Sequence, residues 1–217
     1  MLIGIDASRA NHQERTGVEE YAFQLIQHLK EITPDTVQVV LYTDKKLLGK
    51  LGELPKNWEE KILNWPFRFW TQIRLSWEML VKPPEVLFIP AHVFPIIHPK
   101  KTVMTVHDIA ALKFPESYNW FERWYSVWSA KQAVEKLWRV IVPSEFTKNE
   151  LIANFRLSRN ERDPVAAGHN AESQKINVIY HGYNRRYEIR DRDIKNINKI
   201  LQKYNLEKPY LLSVGRL

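Results

Sequence analysis

MLIGIDASRANHQERTGVEEYAFQLIQHLKEITPDTVQVVLYT, residues 1–43, reads as strand, loop, helix and strand. Leu2 to Asp6 is a short apolar run giving way to small and polar residues, and Ser8 to Arg15 is a polar loop. Val18, Tyr21, Ala22, Leu25, Ile26 and Leu29 then recur at helical spacing. One stripe can therefore pack on a sheet while Glu19, Glu20, Gln24 and Lys30 face water. Thr16 and Glu19 stand at capping-box spacing, in which hydroxyl and carboxylate satisfy free N–H groups at a helix start. Thr33-Pro34-Asp35 ends the helix, and Val37 to Thr43 is a second, buried strand.

The alternation continues outward from this unit. Further strands are expected at Val86 to Ile89, Thr102 to Val106, Val140 to Val142 and Ile176 to Ile179. Helices are expected at Phe69 to Leu80, Trp120 to Trp138, Ser144 (as N-cap) to Asn154 and Asp191 to Tyr204. Short, nearly all-apolar strands separated by amphipathic helices imply an α/β fold: a Rossmann-like, doubly wound, mostly parallel sheet with helices on both faces. Such sheets hold ligands at the strands' C-terminal ends. Trp58 to Lys82 interleaves aromatic and basic residues. It reads either as core aromatics of an irregular helical insertion, the reading preferred here, or as a surface for a membrane interface or a lipid-tailed acceptor. Trp120, Trp124, Trp128 and Trp138 fall in a helix whose periodic face is expected to be mostly core. Residues 156–174 are polar and non-periodic and read as a surface loop.

Composition narrows the function. With 217 residues, 44% hydrophobic and 26% charged, the chain can bury a real core. It has no apolar run near ~20 residues and no signal-peptide pattern, so a cytoplasmic location is the default expectation. The absence of cysteine removes disulfide scaffolds, thiolate metal sites and cysteine nucleophiles. A formal charge of +7 suits phosphorylated ligands, anionic lipid or nucleic acid. No RNA- or DNA-binding motif supports the last of these. The seven histidines show no metal-ligand spacing, and no catalytic triad order, P-loop or zinc pattern is present.

Four segments follow strands and can carry chemistry. Arg15-Thr16-Gly17-Val18 opens the first helix, where free N–H groups attract anions and a glycine admits a ligand to the backbone; a well-capped turn explains it equally. His107 and Asp108 end an apolar strand. There an imidazole can orient a sugar hydroxyl and a carboxylate can hold another or fix the loop, although a hydrogen-bonded strand-end histidine is the simpler account. Ser144 is an N-cap, and Glu145 complements the helix dipole at the same sheet edge. His181 and Gly182 follow the strand INVIY, where turn chemistry explains the glycine.

Taken in order, GIDASR, RTGVEEYAFQLIQHL, TVHDIAALKFPESY, VPSEFTKNELI, INVIYHGYN and PYLLSVGRL resemble the N-terminal half of retaining, nucleotide-sugar-dependent glycosyltransferases. The resemblance is to family four of the two-Rossmann-domain (GT-B) type, near its mannosyltransferase-like members. It implies two facing Rossmann domains, with the acceptor on the N-terminal domain and the donor on the C-terminal one. Residues 1–206 are then the acceptor-side domain, and residues 207–217 the first strand of a donor-binding domain whose remainder is missing. Carried over, Gly17, with Thr16 beside it, matches the loop glycine lining the cleft at the donor phosphates. His107 matches a histidine contacting donor sugar or acceptor hydroxyls, and Asp108 is its usual neighbour. Glu145, His181 and Gly182 match cleft-edge positions, His181 replacing what is more often Asn or Pro. Arg216 matches a diphosphate-binding arginine; the Lys and paired glutamates that accompany it have no counterpart.

The resemblance implies transfer of a hexose, mannose among the candidates, from a nucleotide sugar to a glycan or lipid-linked acceptor. It implies no metal and no other cofactor, because cationic side chains and helix N-termini neutralise the leaving diphosphate. The chain alone is expected to be inactive. Its expected location is the cytoplasm, with peripheral contact to an anionic membrane face. Three alternatives stay open: one subunit of a split transferase, a non-catalytic module on membranes or nucleic acid, and a sugar-nucleotide epimerase or phosphorylase of related architecture.

Overall fold

Parallel strands need crossover connections, and most of them here carry a helix. The computed structural model describes residues 1–91, 93–155, 175–182, 194–207 and 209. Met1–Tyr180 form one unit and His181–Leu217 a second. In the first unit, β1 (Leu2–Asp6), β2 (Gln38–Thr43), β3 (Trp58–Ile62), β4 (Val86–Ile89), β5 (Thr102–Thr105), β6 (Arg139–Val142) and β7 (Ile176–Val178) pair in the order β3-β2-β1-β4-β5-β6-β7. Every pair is parallel, which bears out the expected Rossmann-like sheet. The order reverses between β1 and β4, the crevice at which such sheets bind ligands. Connecting them are α1 (Gly17–Ile32), α2 (Ser76–Val81), α3 (Ala110–Lys113), α4 (Trp120–Lys136) and α5 (Glu145–Asn154).

Burial on both faces explains the near-continuous apolar strands. In β2, Val40 and Tyr42 join one core with Leu87, Met104 and Val140, while Val39 and Leu41 join the other with Ile5, Ala22 and Ile26. At Gly4 a Cβ would lie 2.6 Å from Tyr42 Cε2 and 2.8 Å from Pro84 Cγ, so β1 needs glycine there. The capping box of α1 is formed: Glu19 accepts from Thr16 N at 2.7 Å and from Thr16 Oγ1 at 2.9 Å. The backbone bond to Thr16 holds the Glu19 carboxyl below its ordinary range. Ser144 caps α5, its Oγ accepting from Thr147 N at 3.1 Å.

Two expectations are corrected. Trp58 to Lys82 is not an irregular helical insertion of core aromatics throughout: it begins with the edge strand β3, which buries Trp58 against the α1-side core. Beyond β3, Trp70 packs on the opposite core, whereas Phe67, Phe69 and Trp77 are exposed. The helix expected at Phe69 to Leu80 starts as a π-turn over Thr71–Leu75 and continues as α2. The tryptophans of the Trp120 to Trp138 segment do not make the core face either, since Trp120, Trp124 and Trp138 are exposed. Ser129, Ala130, Ala133 and Val134 are the buried residues of α4. Small side chains bring the helix close to the sheet and leave its bulky ones outside.

The second unit contains α6 (Ile194–Lys203), inside the helix expected from Asp191, with Ile200 and Tyr204 exposed. The loop at 156–174, Arg216, and all but Pro209 of the strand expected at Pro209 to Val214 lie outside the described residues. Among the described residues, no helix is long and apolar enough to cross a membrane.

Candidate functional site

The loops leaving β1, β4 and β5 meet at one edge of the sheet. His107, two residues beyond β5, has Nε2 3.0 Å from the carbonyl oxygen of Pro90, which follows β4. A carbonyl can only accept, so Nε2 carries a proton. The Tyr21 ring stands edge-on to the imidazole, centroids 4.7 Å apart at 86°, and its hydroxyl lies 3.3 Å from Thr105 Oγ1. Burial pushes the Tyr21 phenol up and keeps it neutral. His107 is thus fixed in orientation by two strands and by α1.

Gly17 lies four residues before Tyr21, about one turn or 6 Å along α1. It is exposed, and a Cβ built on it meets no atom within 4 Å. The backbone at Gly17 is outside the left-handed region, so no internal contact requires a glycine. Thr16 beside it is committed to the capping box. Asp108 is exposed and Oδ1 accepts from Ala110 N at 2.9 Å, so one oxygen fixes the turn into α3. Glu145 is exposed in the first turn of α5. His181 and Gly182 open the second unit, both exposed, with open space where a Gly182 Cβ would lie. The structure therefore joins His107 to the α1 start through Tyr21, and gives no such link to Glu145.

Beside this edge lies a cavity of about 330 Å³ that none of the candidate residues lines. One wall comes from the β1 and β2 loops (Ser8, Arg9, His12, Asp44), the other from Phe69, Gln72, Phe121 and Tyr125. Asp6 builds the first wall. It is buried, and its Oδ1 accepts from Ser8 N at 3.0 Å and Ser8 Oγ at 2.6 Å. Desolvation raises the Asp6 carboxyl above its ordinary range, opposed by the Ser8 bonds and the Arg9 charge. Buried Asn11 locks the two loops together: Nδ2 donates to Lys45 O at 3.2 Å and Lys46 O at 3.0 Å, and Oδ1 accepts from Leu48 N at 2.9 Å. On the second wall Gln72 Nε2 donates to the Tyr125 hydroxyl, whose pKa burial raises. Phe69, at φ 65°, is in the left-handed region, which for a residue with a Cβ costs about 1–2 kcal/mol. Strain and a π-turn adjoining one cavity are features that cluster at binding sites.

Sequence reasoning missed Arg9, His12, Asp44 and Tyr125. Arg9 had a signal, since it closes GIDASR at a strand's C-terminal end; His12, Asp44 and Tyr125 come from three separate segments with no shared motif. Among the described residues, no three His, Asp or Glu side chains gather to hold a metal ion.

Comparison with known proteins gives a family. The model described as Glycosyltransferase Family 4 matches residues 15–187. No curated protein sequence matches the chain. Among solved structures, Anabaena HepE in complex with UDP-glucose aligns at 15% identity and a TM-score of 0.48, over 94% of this chain and 49% of HepE. HepE in complex with UDP and glucose aligns at 16% identity and 0.48, over 94% and 50%. The chain thus spans about half the length of the solved structures it matches.

Proposed function

Since the chain belongs to Glycosyltransferase Family 4, we propose that it is the acceptor-side half of a hexosyltransferase. The whole enzyme moves a hexose, with mannose and glucose the first to test, from a nucleotide sugar to a hydroxyl of a glycan or lipid-linked acceptor. Configuration at the anomeric carbon is retained. The observation that best supports this is the unfilled space at Gly17, at the N-terminus of a 16-residue helix whose next turn, at Tyr21, packs on His107. Free N–H groups and the helix dipole at that end attract a diphosphate.

In this reading the donor's anomeric carbon–oxygen bond breaks as the diphosphate leaves, and the acceptor oxygen bonds to the same face. The acceptor proton passes to the departing phosphate. His107 holds a hydroxyl of donor or acceptor, and the second carboxylate oxygen of Asp108 holds another. Arg216 neutralises the diphosphate, and Glu145, His181 and Gly182 are further donor-binding candidates. No metal takes part. The enzyme works in the cytoplasm, where nucleotide sugars are made.

The test is to incubate the whole protein with UDP-glucose or GDP-mannose and sugar acceptors, with and without EDTA. Nucleotide release is followed by chromatography and the new anomeric centre by NMR. Release of nucleoside diphosphate, unchanged by EDTA, with the product anomer matching the donor is expected. An inverted product refutes retention, loss of activity in EDTA refutes the metal-free step, and no binding or turnover of any nucleotide sugar refutes the whole reading.

A further inference from the structure

The cavity beside the site continues outward into exposed rings. Trp120, Phe121 and Trp124, on the first two turns of α4, are 79%, 41% and 55% exposed. Phe121 touches Phe69 at 6.5 Å, Trp120 at 5.9 Å, Trp124 at 6.1 Å and Tyr125 at 6.3 Å between centroids. Phe69, Phe121 and Tyr125 also line the cavity, so one unbroken aromatic surface runs from inside it to solvent. The inner end is polar: Arg9 and His12 supply donors for an anion, and Asp44 an acceptor for hydroxyls. Arg68, which precedes Phe69, and Arg123, which precedes Trp124, are both exposed, on a chain of net charge +7. A soluble sugar fills the cavity and leaves Trp120 and Trp124 in water. An amphiphile with a charged, hydroxylated head uses both ends, and aromatic side chains flanked by arginine suit the boundary between headgroups and hydrocarbon.

We propose that the cavity takes the phosphate- and sugar-bearing head of a lipid-linked acceptor, while the Trp120–Phe121–Trp124 ridge rests in the surface of the anionic membrane that carries it. This rests on the acceptor-side reading above and narrows its acceptor from any glycan to a lipid-linked one.

The experiment is vesicle co-sedimentation of the 217-residue chain. Three vesicles are compared: phosphatidylcholine alone, phosphatidylcholine with phosphatidylglycerol, and phosphatidylcholine with polyprenyl phosphoglucose at equal charge. Glucose 1-phosphate serves as a soluble competitor. Binding to the third is expected to be about tenfold tighter than to the second, and negligible to the first. Substitution of Trp120→Ser together with Trp124→Ser removes no buried side chain and should weaken binding to both anionic vesicles by about tenfold or more. Arg9→Gln should abolish the preference for the phosphoglucose lipid and keep the ridge-driven binding. Equal binding to the two anionic vesicles overturns the head assignment, and so does failure of glucose 1-phosphate to reduce the preference for the phosphoglucose lipid. Binding indifferent to the tryptophans overturns the ridge, as does their burial in a complex of two chains without lipid. Absence of binding to any vesicle overturns the whole proposal. Because the readout is partition and not turnover, failure of the donor assay leaves this result standing, and the reverse also holds.

Discussion

Replacing Gly17 by alanine separates a residue kept for the fold from one kept for a ligand. A methyl at this position meets nothing within 4 Å and the backbone needs no left-handed angle. The substitution therefore acts on the unfolded chain, whose entropy it lowers, and should stabilise by about 0.4–1 kcal/mol. For a protein of this size that is a rise of about 1–4 °C in Tm. Gly4→Ala is the control. Its methyl would sit 2.6 Å from Tyr42 Cε2 and 2.8 Å from Pro84 Cγ, where ordinary carbon contacts are ~3.5–4.0 Å. Overpacking of this kind costs about 1–3 kcal/mol, a fall of about 2–12 °C. On the proposed function, a Gly17 methyl would stand where a donor phosphate approaches the first-turn N–H groups. A displacement of about 1 Å there is enough for a loss on the order of a hundredfold in turnover. Thermal melts and urea titrations of both variants, with initial rates of nucleotide release, make the comparison. A Gly17→Ala enzyme that is more stable and fully active would refute the reasoning, because the open space would then serve no ligand.

His107→Ala should lower sugar transfer by about 10²-fold or more and cost about 1–3 kcal/mol, since it strands the Pro90 carbonyl. His107→Gln should restore stability and not turnover; recovery of both would reduce the imidazole to a structural peg. Asp6, raised by burial, binds its proton more tightly folded than unfolded. Its stabilising contribution is therefore present below the unfolded value near ~4 and is lost as pH rises through the folded one. Asp6→Asn keeps an acceptor for Ser8 and should gain on the wild type as pH rises from acid to neutral; parallel urea-midpoint profiles would contradict this. Glu78 is buried with Lys61 Nζ at 2.5 Å and Arg74 Nη1 at 3.4 Å. Glu78→Ala, which leaves two partly buried cations unpaired, should lose about 3 kcal/mol by urea titration, and a loss under half of that would mean that water replaces the carboxylate.

What the sequence revealed follows the physics of burial. Strands covered on both faces must be largely apolar, so β1, β2, β4, β5 and β6 are each visible as short runs, and the edge strand β7 stands out within INVIY. β3 is not, because an edge strand with residues Trp58-Glu59-Glu60-Lys61-Ile62 buries Trp58 alone. The exposed rings of α4 were misjudged for a related reason. Size was read as a mark of the core, whereas Ser129, Ala130 and Ala133 make the close approach. His107 and Gly17 are legible because each directly leaves a strand or opens a helix. The cavity is not, since residues 8–12, 44, 69–72 and 121–125 share no contiguous motif and are brought together by Asn11, by the Phe69–Phe121 contact and by the π-turn.

The same charged edge strand bears on how the protein behaves at high concentration. A parallel sheet ends in two rows of unpaired N–H and C=O groups, and each row is a template for another molecule's strand. At one end, the exposed carboxylate of Glu59 would have to be desolvated before a second copy could dock, beside Glu60, which accepts from Leu47 N, and Lys61, which is paired with Glu78. At the other, among the described residues, β7 offers the three residues Ile176–Val178, too short a register to hold a stranger. One margin is guarded by charge and the other by brevity, so the sheet stops growing at both ends without a barrel's closure.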